Sequence, residues 1–276
     1  MKSVIYDNVF KRNLLYNYGT KGVSIILGFA VTTLIIRYAG LSIFGVIAIL
    51  GSLSGVFVNL ITFRTNEALV AFVRRAEVDG DQGKAHLAVI LGVALDLLLG
   101  ALVFALFFYS VPLISEYFID GYSDLHGIYM YAFVLPMLFI KGAPLGYMVA
   151  CENFTFINYM NLLENAIYFL GILVYAIIDS DSNLGFEEIV ISKVFSVAVP
   201  ALIMFFYLLV VYSKKIYCHP VSWDEAREYF RFSAHTFLSS TLKSVSQQID
   251  TVILAVFVSS STVGIYTLFR QFISPL

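Results

Sequence analysis

The sequence predicts an all-α polytopic membrane protein, built as two lobes of parallel six-helix repeats and cut short at about eight spans. Three observations carry that expectation: an apolar surplus that no water-soluble core absorbs, a regular alternation of basic and acidic connections, and a weak self-match at a fixed offset.

The surplus comes first. Of 276 residues, 59% are hydrophobic and only 13% charged, and mean hydropathy is +0.85. Soluble domains carry about a quarter charged residues. Lipid accepts the excess, but backbone groups find no water there, so the spanning elements are helices or a closed barrel. The apolar stretches are helix-length and too long for barrel strands. They place spans at 14–36, 43–63, 86–111, 127–150, 157–178, 189–212 and 233–257, with an eighth from 263 to the end. The first carries Asn17 and Lys21 and has no small-x-small cleavage site after it, which reads as a retained signal anchor. The last has 14 residues where a span needs about 20, so the chain is expected to be incomplete.

The connections then set orientation. The N-terminal tail, 64–85, 151–156 and 213–232 hold eleven basic residues, among them Lys11, Arg12, Arg74, Arg75, Lys214 and Arg231. The intervening set, 37–42, 112–126, 179–188 and 258–262, holds one, Arg37, with seven acids including Glu116, Asp124, Glu187 and Glu188. Basic loops stay inside, so the N-terminus is expected in the cytoplasm. Within 64–85, Leu69, Phe72, Val73 and Ala76 share a helical face. That face suits an interfacial helix on the inner leaflet or, equally, a linker helix packed on the bundle. Cys151 and Cys218 fall on the cytoplasmic side and read as free structural thiols. Four scattered histidines and no Cys/His cluster argue against a metal site. A net charge of −2 points to no nucleic acid or other polyanion as partner of the whole chain.

A shift of 219 residues lays Arg12 on Arg231, Thr20 on Ser239, Thr32 on Thr251 and Gly45 on Gly264. Six spans separate the matched positions, and an even number keeps both units in the same orientation. Parallel repeats about an axis along the membrane normal follow. Six-plus-six is a transporter architecture, which divides the chain into a first lobe, 1–218, and the incomplete start of a second, 219–276.

The run from Asn13-Leu14-Leu15 to Arg37-Tyr38-Ala39-Gly40, followed by Phe44-Gly45, resembles the opening of bacterial polysaccharide-export proteins of the O-antigen flippase type. Gln248-Ile249-Asp250 with Val263-Gly264-Ile265-Tyr266 resembles the seventh-span motif of the same group. That family is related to multidrug and toxin extrusion transporters and to the lipid II flippase. The resemblance implies a two-lobe flippase of the bacterial inner membrane, without a cofactor. Its cargo would be an undecaprenyl-pyrophosphate-linked oligosaccharide, and its partners membrane lipids and polysaccharide-assembly proteins.

An ionisable group inside the bilayer costs about 2.5–3.5 kcal/mol on insertion scales and so needs a reason. On the seventh span His235, Ser239, Lys243, Ser246, Gln247 and Asp250 form one face about 20 Å long. It either lines a cavity or packs by hydrogen bonds on another helix. On the fifth, Asn158, Asn161, Glu164, Asn165 and Tyr168 make a shorter stripe. Asp96 in the third, between Gly92 and Gly100, is either a proton-coupling group or a paired structural carboxyl. Lys141 sits between Pro136 and Pro144, and either lines the lumen or snorkels. Arg270 falls inside the last span, and Arg37 at the outer interface is either a ligand or an anchor. The pairs Gly51–Gly55 and Gly142–Gly146 allow close helix contacts.

On the implied function, Lys141, Lys243, Arg270 and Arg37 would hold pyrophosphate. Asp96, Glu164 and Asp250 would carry coupling ions, and Asn161, Asn165, Ser239 and Gln247 would line a shared wet interior. A multidrug and toxin extrusion antiporter is the nearest alternative, but it favours carboxylates for cationic drugs, and the first span has none. A membrane glycan polymerase or ligase needs a large outside loop. The longest here is 112–126, and no hydrolase, metal or phosphate-loop motif is present. An inactive fragment or scaffold is the remaining alternative.

Overall fold

In the computed structural model, residues 2–119, 125–178, 184–213 and 223–273 are described; side chains are described from Tyr18 onward, except at 212–213, 224–225, 238–247 and 272. All the regular elements among them are helices: α1 (Lys2–Tyr38), α2 (Gly40–Ile61), α3 (Thr65–Asp79), α4 (Gln82–Phe118), α5 (Leu125–Tyr131), α6 (Val134–Ile140), α7 (Gly142–Ala150), α8 (Phe154–Ile178), α9 (Phe186–Ser213), α10 (Trp223–Phe257) and α11 (Ser260–Ile273). Among the described residues six spans are long and apolar enough to cross a bilayer: Tyr18–Tyr38, Gly40–Ile61, Gln82–Phe118, Leu125–Ala150, Phe154–Ile178 and Phe186–Val211. They coincide with the first six expected spans to within a few residues, apart from α4, which runs longer at both ends. The protein is a multi-pass membrane helix bundle.

Prolines shape the fourth span. Pro136 and Pro144 lack an N–H, so the carbonyls four residues earlier, on Ala132 and Ile140, lose their helical donors. The breaks fall there: α5 ends at Tyr131 and α6 at Ile140, leaving Lys141 at the joint between α6 and α7.

The first six spans close into a ring. α1 packs on α8, α8 on α9, and α9 on α5, α6 and α7; these pack on α4, which meets α2, and α2 returns to α1. A buried cluster with Val46, Ile49, Val103, Phe107, Ile128 and Leu135 knits α2, α4, α5 and α6 together. In hydrocarbon such contacts rest on close packing rather than on escape from water. Glycines permit the closest of them. A Cβ on Gly171 of α8 would lie 2.7 Å from the Ser192 hydroxyl of α9, and one on Gly146 of α7 would lie 2.7 Å from the Asn66 carbonyl oxygen of α3.

The linker helix α3 docks on the bundle, resolving the two readings of segment 64–85. Leu69, Val73 and Ala76 of its expected apolar face are buried, with Phe72 partly so, against α4, α7 and α10. Its charged face is tied down at the surface, Arg74 to Glu152 at 2.6 Å and Arg75 to Glu228 at 3.0 Å. Gly80 ends it at φ 71, in the left-handed region that glycine adopts without strain. Asp81 then caps α4 by accepting from the Gly83 and Lys84 amides.

α10 and α11 lie outside the ring, against α2, with α10 also touching α3 and α4. The four helices α1, α2, α10 and α11 therefore surround a space of their own, next to the interior of the ring.

Candidate functional site

That space is a cavity of about 500 Å³. Lys21, Ser24, Ile25, Gly28 and Phe29 line it from α1, Ser52 from α2, Gln248 and Thr251 from α10, and Thr267, Arg270 and Gln271 from α11. Its walls carry two cations, hydroxyls and amides, and none of these residues is acidic. The Arg270 guanidinium donates from Nη1 to Thr251 Oγ1 at 3.2 Å, and Thr32 Oγ1 donates to Gln271 Oε1 at 3.1 Å. Both bonds orient α11 side chains from helices on either side. Arg270 is half-buried and Lys21 exposed, and two cations on these walls attract an anion.

A second group of charges lies inside the ring. Lys141 Nζ, at the α6–α7 joint, donates to Glu164 Oε2 at 3.0 Å and to Asn161 Oδ1 at 3.1 Å, both on α8. Lys193 of α9 reaches Glu164 Oε1 at 3.7 Å and lies 5.1 Å from the centre of the Tyr168 ring. The side chains of Lys141, Glu164 and Lys193 are only 14%, 20% and 29% exposed. One carboxylate is thus shared between two ammonium groups from two neighbouring helices, and the cluster carries one net positive charge. Asn165 turns its amide onto the Asn161 carbonyl of its own helix at 3.1 Å.

Asp96 forms a third, separate site. It is 3% exposed and accepts a hydrogen bond from the Thr65 hydroxyl at the start of α3. Its other oxygen, Oδ2, packs against Gly142 at the start of α7, where a Cβ would lie 2.6 Å away. Tyr229 closes the site from α10 by donating to the Thr65 carbonyl at 3.2 Å. The carboxyl faces the N-termini of two helices, which carry partial positive charge and favour an anion there.

Among the described residues, the expected ones do not share one wet interior. Arg270 lines the cavity, Lys141, Glu164 and Asn161 meet within the ring, and Asp96 is buried under α3 at the edge of a separate apolar hollow with Gly100, Phe104 and Met137. Arg37 is exposed at the end of α1, its guanidinium 5.5 Å from the centre of the Tyr38 ring. Asp250 is exposed and is not among the cavity-lining residues, and His235 is exposed as well. α10 instead turns Gln248 and Thr251 toward α2 and α11. Gly55 makes room for this, since a Cβ there would lie 3.1 Å from the Gln248 side chain. Lys243, Ser239, Ser246 and Gln247 lie outside the described side chains. Two residues escaped the sequence reading of the site. Lys193 was a lone lysine in an otherwise apolar span, a signal that the cost of an intramembrane charge already supplied. Lys21 is a polar member of the first span, but the sequence offers no neighbour that would place it.

No curated protein matches the chain in sequence. Among solved structures, the chain is similar to one described as the inward-facing conformation of a multidrug resistance MATE family transporter of the MOP superfamily. The TM-score is 0.67 at 12% identity, over 88% of this chain and 56% of the other. The chain thus has that transporter's fold and spans a little over half its length. The family described as polysaccharide biosynthesis protein matches residues 10–275. With nearly the whole chain inside that match, on a helical bundle of transporter fold, the protein belongs to the polysaccharide biosynthesis protein family.

Proposed function

We propose that the chain forms the cargo-binding part of a flippase that carries a lipid-linked oligosaccharide across the bacterial inner membrane, with its N-terminus in the cytoplasm. The observation that carries this reading is the cavity walled by Lys21 and Arg270 with no acidic residue among its described lining. A pyrophosphate linked to undecaprenol is doubly anionic, and Arg presents a planar fork of donors that suits phosphate oxygens. Ser24, Ser52, Thr267 and Gln271 offer neutral hydrogen bonds for sugar hydroxyls. A multidrug antiporter for cationic compounds would need carboxylates in this position.

Coupling to an ion is assigned to Glu164. Its two lysine partners sit on the broken fourth span and on α9, so a change of charge at the carboxylate alters how three spans hold together. Asp96, held between two helix starts, is assigned to structure.

The test is export of the lipid-linked glycan in cells that depend on this protein. Lys21→Ala and Arg270→Ala are each expected to reduce export strongly, and Arg270→Lys to restore part of it. Wild-type export from the double alanine variant would refute the cationic cavity. Extrusion of a cationic drug, unaffected by these changes, would point to the antiporter instead.

A further inference from the structure

The segment joining the second and third spans folds into a helical hairpin with a crevice inside it. α3 and the start of α4 run antiparallel on either side of the turn at Gly80 and Asp81, and α10 packs on both. Phe72, Arg75, Ala76 and Asp79 recur at helical spacing on α3, and so do Lys84, Leu87, Ala88 and Leu91 on α4. Each helix therefore turns one stripe into the gap. Glu228 and Tyr229 of α10 complete the wall of a cavity of about 110 Å³. The stripes are graded. Arg75, Asp79 and Lys84 are exposed near the turn, and Glu228 is exposed beside Arg75. Farther from the turn, Phe72, Leu87 and Leu91 with the buried Tyr229 make an apolar floor. Two basic and two acidic side chains thus ring the mouth of an apolar hollow. The hollow lies where the spans end: Arg74 pairs at 2.6 Å with Glu152, in the short connection between the fourth and fifth spans, and Val73 and Ala88 share a buried cluster with Ala150 at the end of α7.

We propose that this crevice binds a zwitterionic phospholipid of the inner leaflet, one whose head group joins a phosphate to a primary ammonium, as in phosphatidylethanolamine. Arg75 and Lys84 donate to the phosphate oxygens, and Asp79 and Glu228 accept from the ammonium. The glycerol end and first methylenes rest on Phe72, Leu87 and Leu91. Arg75 already meets Glu228 at 3.0 Å, but the two side chains are 69% and 56% exposed. Exposed pairs of this kind contribute little, so both groups are open to a ligand that offers each a counter-charge. A purely anionic lipid suits the mouth less well, because its phosphate gains from Arg75 and Lys84 but is repelled by Asp79 and Glu228. The crevice shares no described lining residue with the cavity of Lys21 and Arg270, and the proposal stands apart from the cargo reading.

The test uses the full chain purified in detergent, with bound lipid read by native mass spectrometry and melting temperature measured as each lipid is added. Phosphatidylethanolamine is expected to be retained and to raise the melting temperature. Phosphatidylglycerol, which lacks the ammonium, and phosphatidylcholine, whose trimethylated nitrogen has no N–H, are expected to bind about tenfold more weakly at equal chain length, the loss of one charge-assisted hydrogen bond. Glycerophosphoethanolamine, the head group without chains, is expected to leave the melting temperature unchanged. Arg75→Gln with Lys84→Gln should abolish retention of phosphatidylethanolamine. Asp79→Asn with Glu228→Gln should reverse the preference and favour phosphatidylglycerol, a switch that misfolding does not produce. Equal retention of the three lipids by the unaltered chain overturns the proposal. So does stabilisation by the head group alone, or an unchanged lipid preference in both double variants.

Discussion

The cavity beside the ring and the interior of the ring both carry basic side chains on membrane-spanning helices, yet they surround them in different ways. Inside the ring, Lys141 and Lys193 share Glu164, so one of their two positive charges is matched by a carboxylate. Beside the ring, Lys21 and Arg270 face a space whose described lining contains hydroxyls and amides and no carboxylate. The first arrangement holds a carboxylate within the cluster. The second presents Lys21 and Arg270 to a cavity of about 500 Å³. A base in a span therefore does not itself mark a binding site; what matters is which groups face it.

The comparison is most exposed to failure at Glu164. Glu164→Ala would leave two ammonium groups facing each other without an anion, and removing one partner of a buried pair costs about 3–5 kcal/mol. A large fall in melting temperature in detergent is expected, with Glu164→Ala/Lys141→Met/Lys193→Met regaining stability while remaining inactive in export. Stability equal to wild type in the single variant would mean that the cluster is solvated and not a closed network.

Arg270→Ala should act on binding and leave folding nearly intact. Hydrogen bonds to charged groups are worth about 1.5–3 kcal/mol, so affinity for an undecaprenyl pyrophosphate lipid is expected to fall by that amount, read by titration of the purified protein. A loss of melting temperature without a loss of affinity would move Arg270 into the structural class with Lys141.

Asp96→Asn keeps an acceptor for the Thr65 hydroxyl and loses only the charge facing the starts of α3 and α7. A destabilisation of about 1 kcal/mol with export retained is expected. A folded Asp96→Asn protein without export would return this residue to proton coupling. The smallest effect belongs to Asp250→Asn, which lies exposed off the cavity wall. Its stability is expected within about 0.5 kcal/mol of wild type, with export unchanged in the same cellular assay.

Much of the bundle is legible in the sequence because hydrocarbon imposes a simple rule: a span must be apolar for about 20 residues. The first six spans follow from it to within a few residues. The apolar face of α3 was also readable, since Leu69, Phe72, Val73 and Ala76 obey helical spacing; what that face packs against was not. The site was less legible, and α10 shows why. Its polar residues occupy nearly every angle around the helix, so spacing alone grouped Asp250 with Gln247. Rotation by one residue brings Gln248 and Thr251 to the wall instead, and that rotation depends on the room Gly55 leaves on another helix.

By itself the sequence determined that the chain crosses the membrane repeatedly and where the first six crossings lie, and it predicted a second unit beginning 219 residues after the first. These are properties of single segments or of segment pairs at a fixed offset, and hydropathy and spacing record them directly. Only the tertiary structure decided that Lys141 and Lys193 share Glu164, that Asp96 faces two helix starts, and that Gly45 packs against Gly264. Each of these joins residues far apart in the chain across distances of a few ångströms, and a charge becomes a binding group or a structural one only according to what stands opposite it.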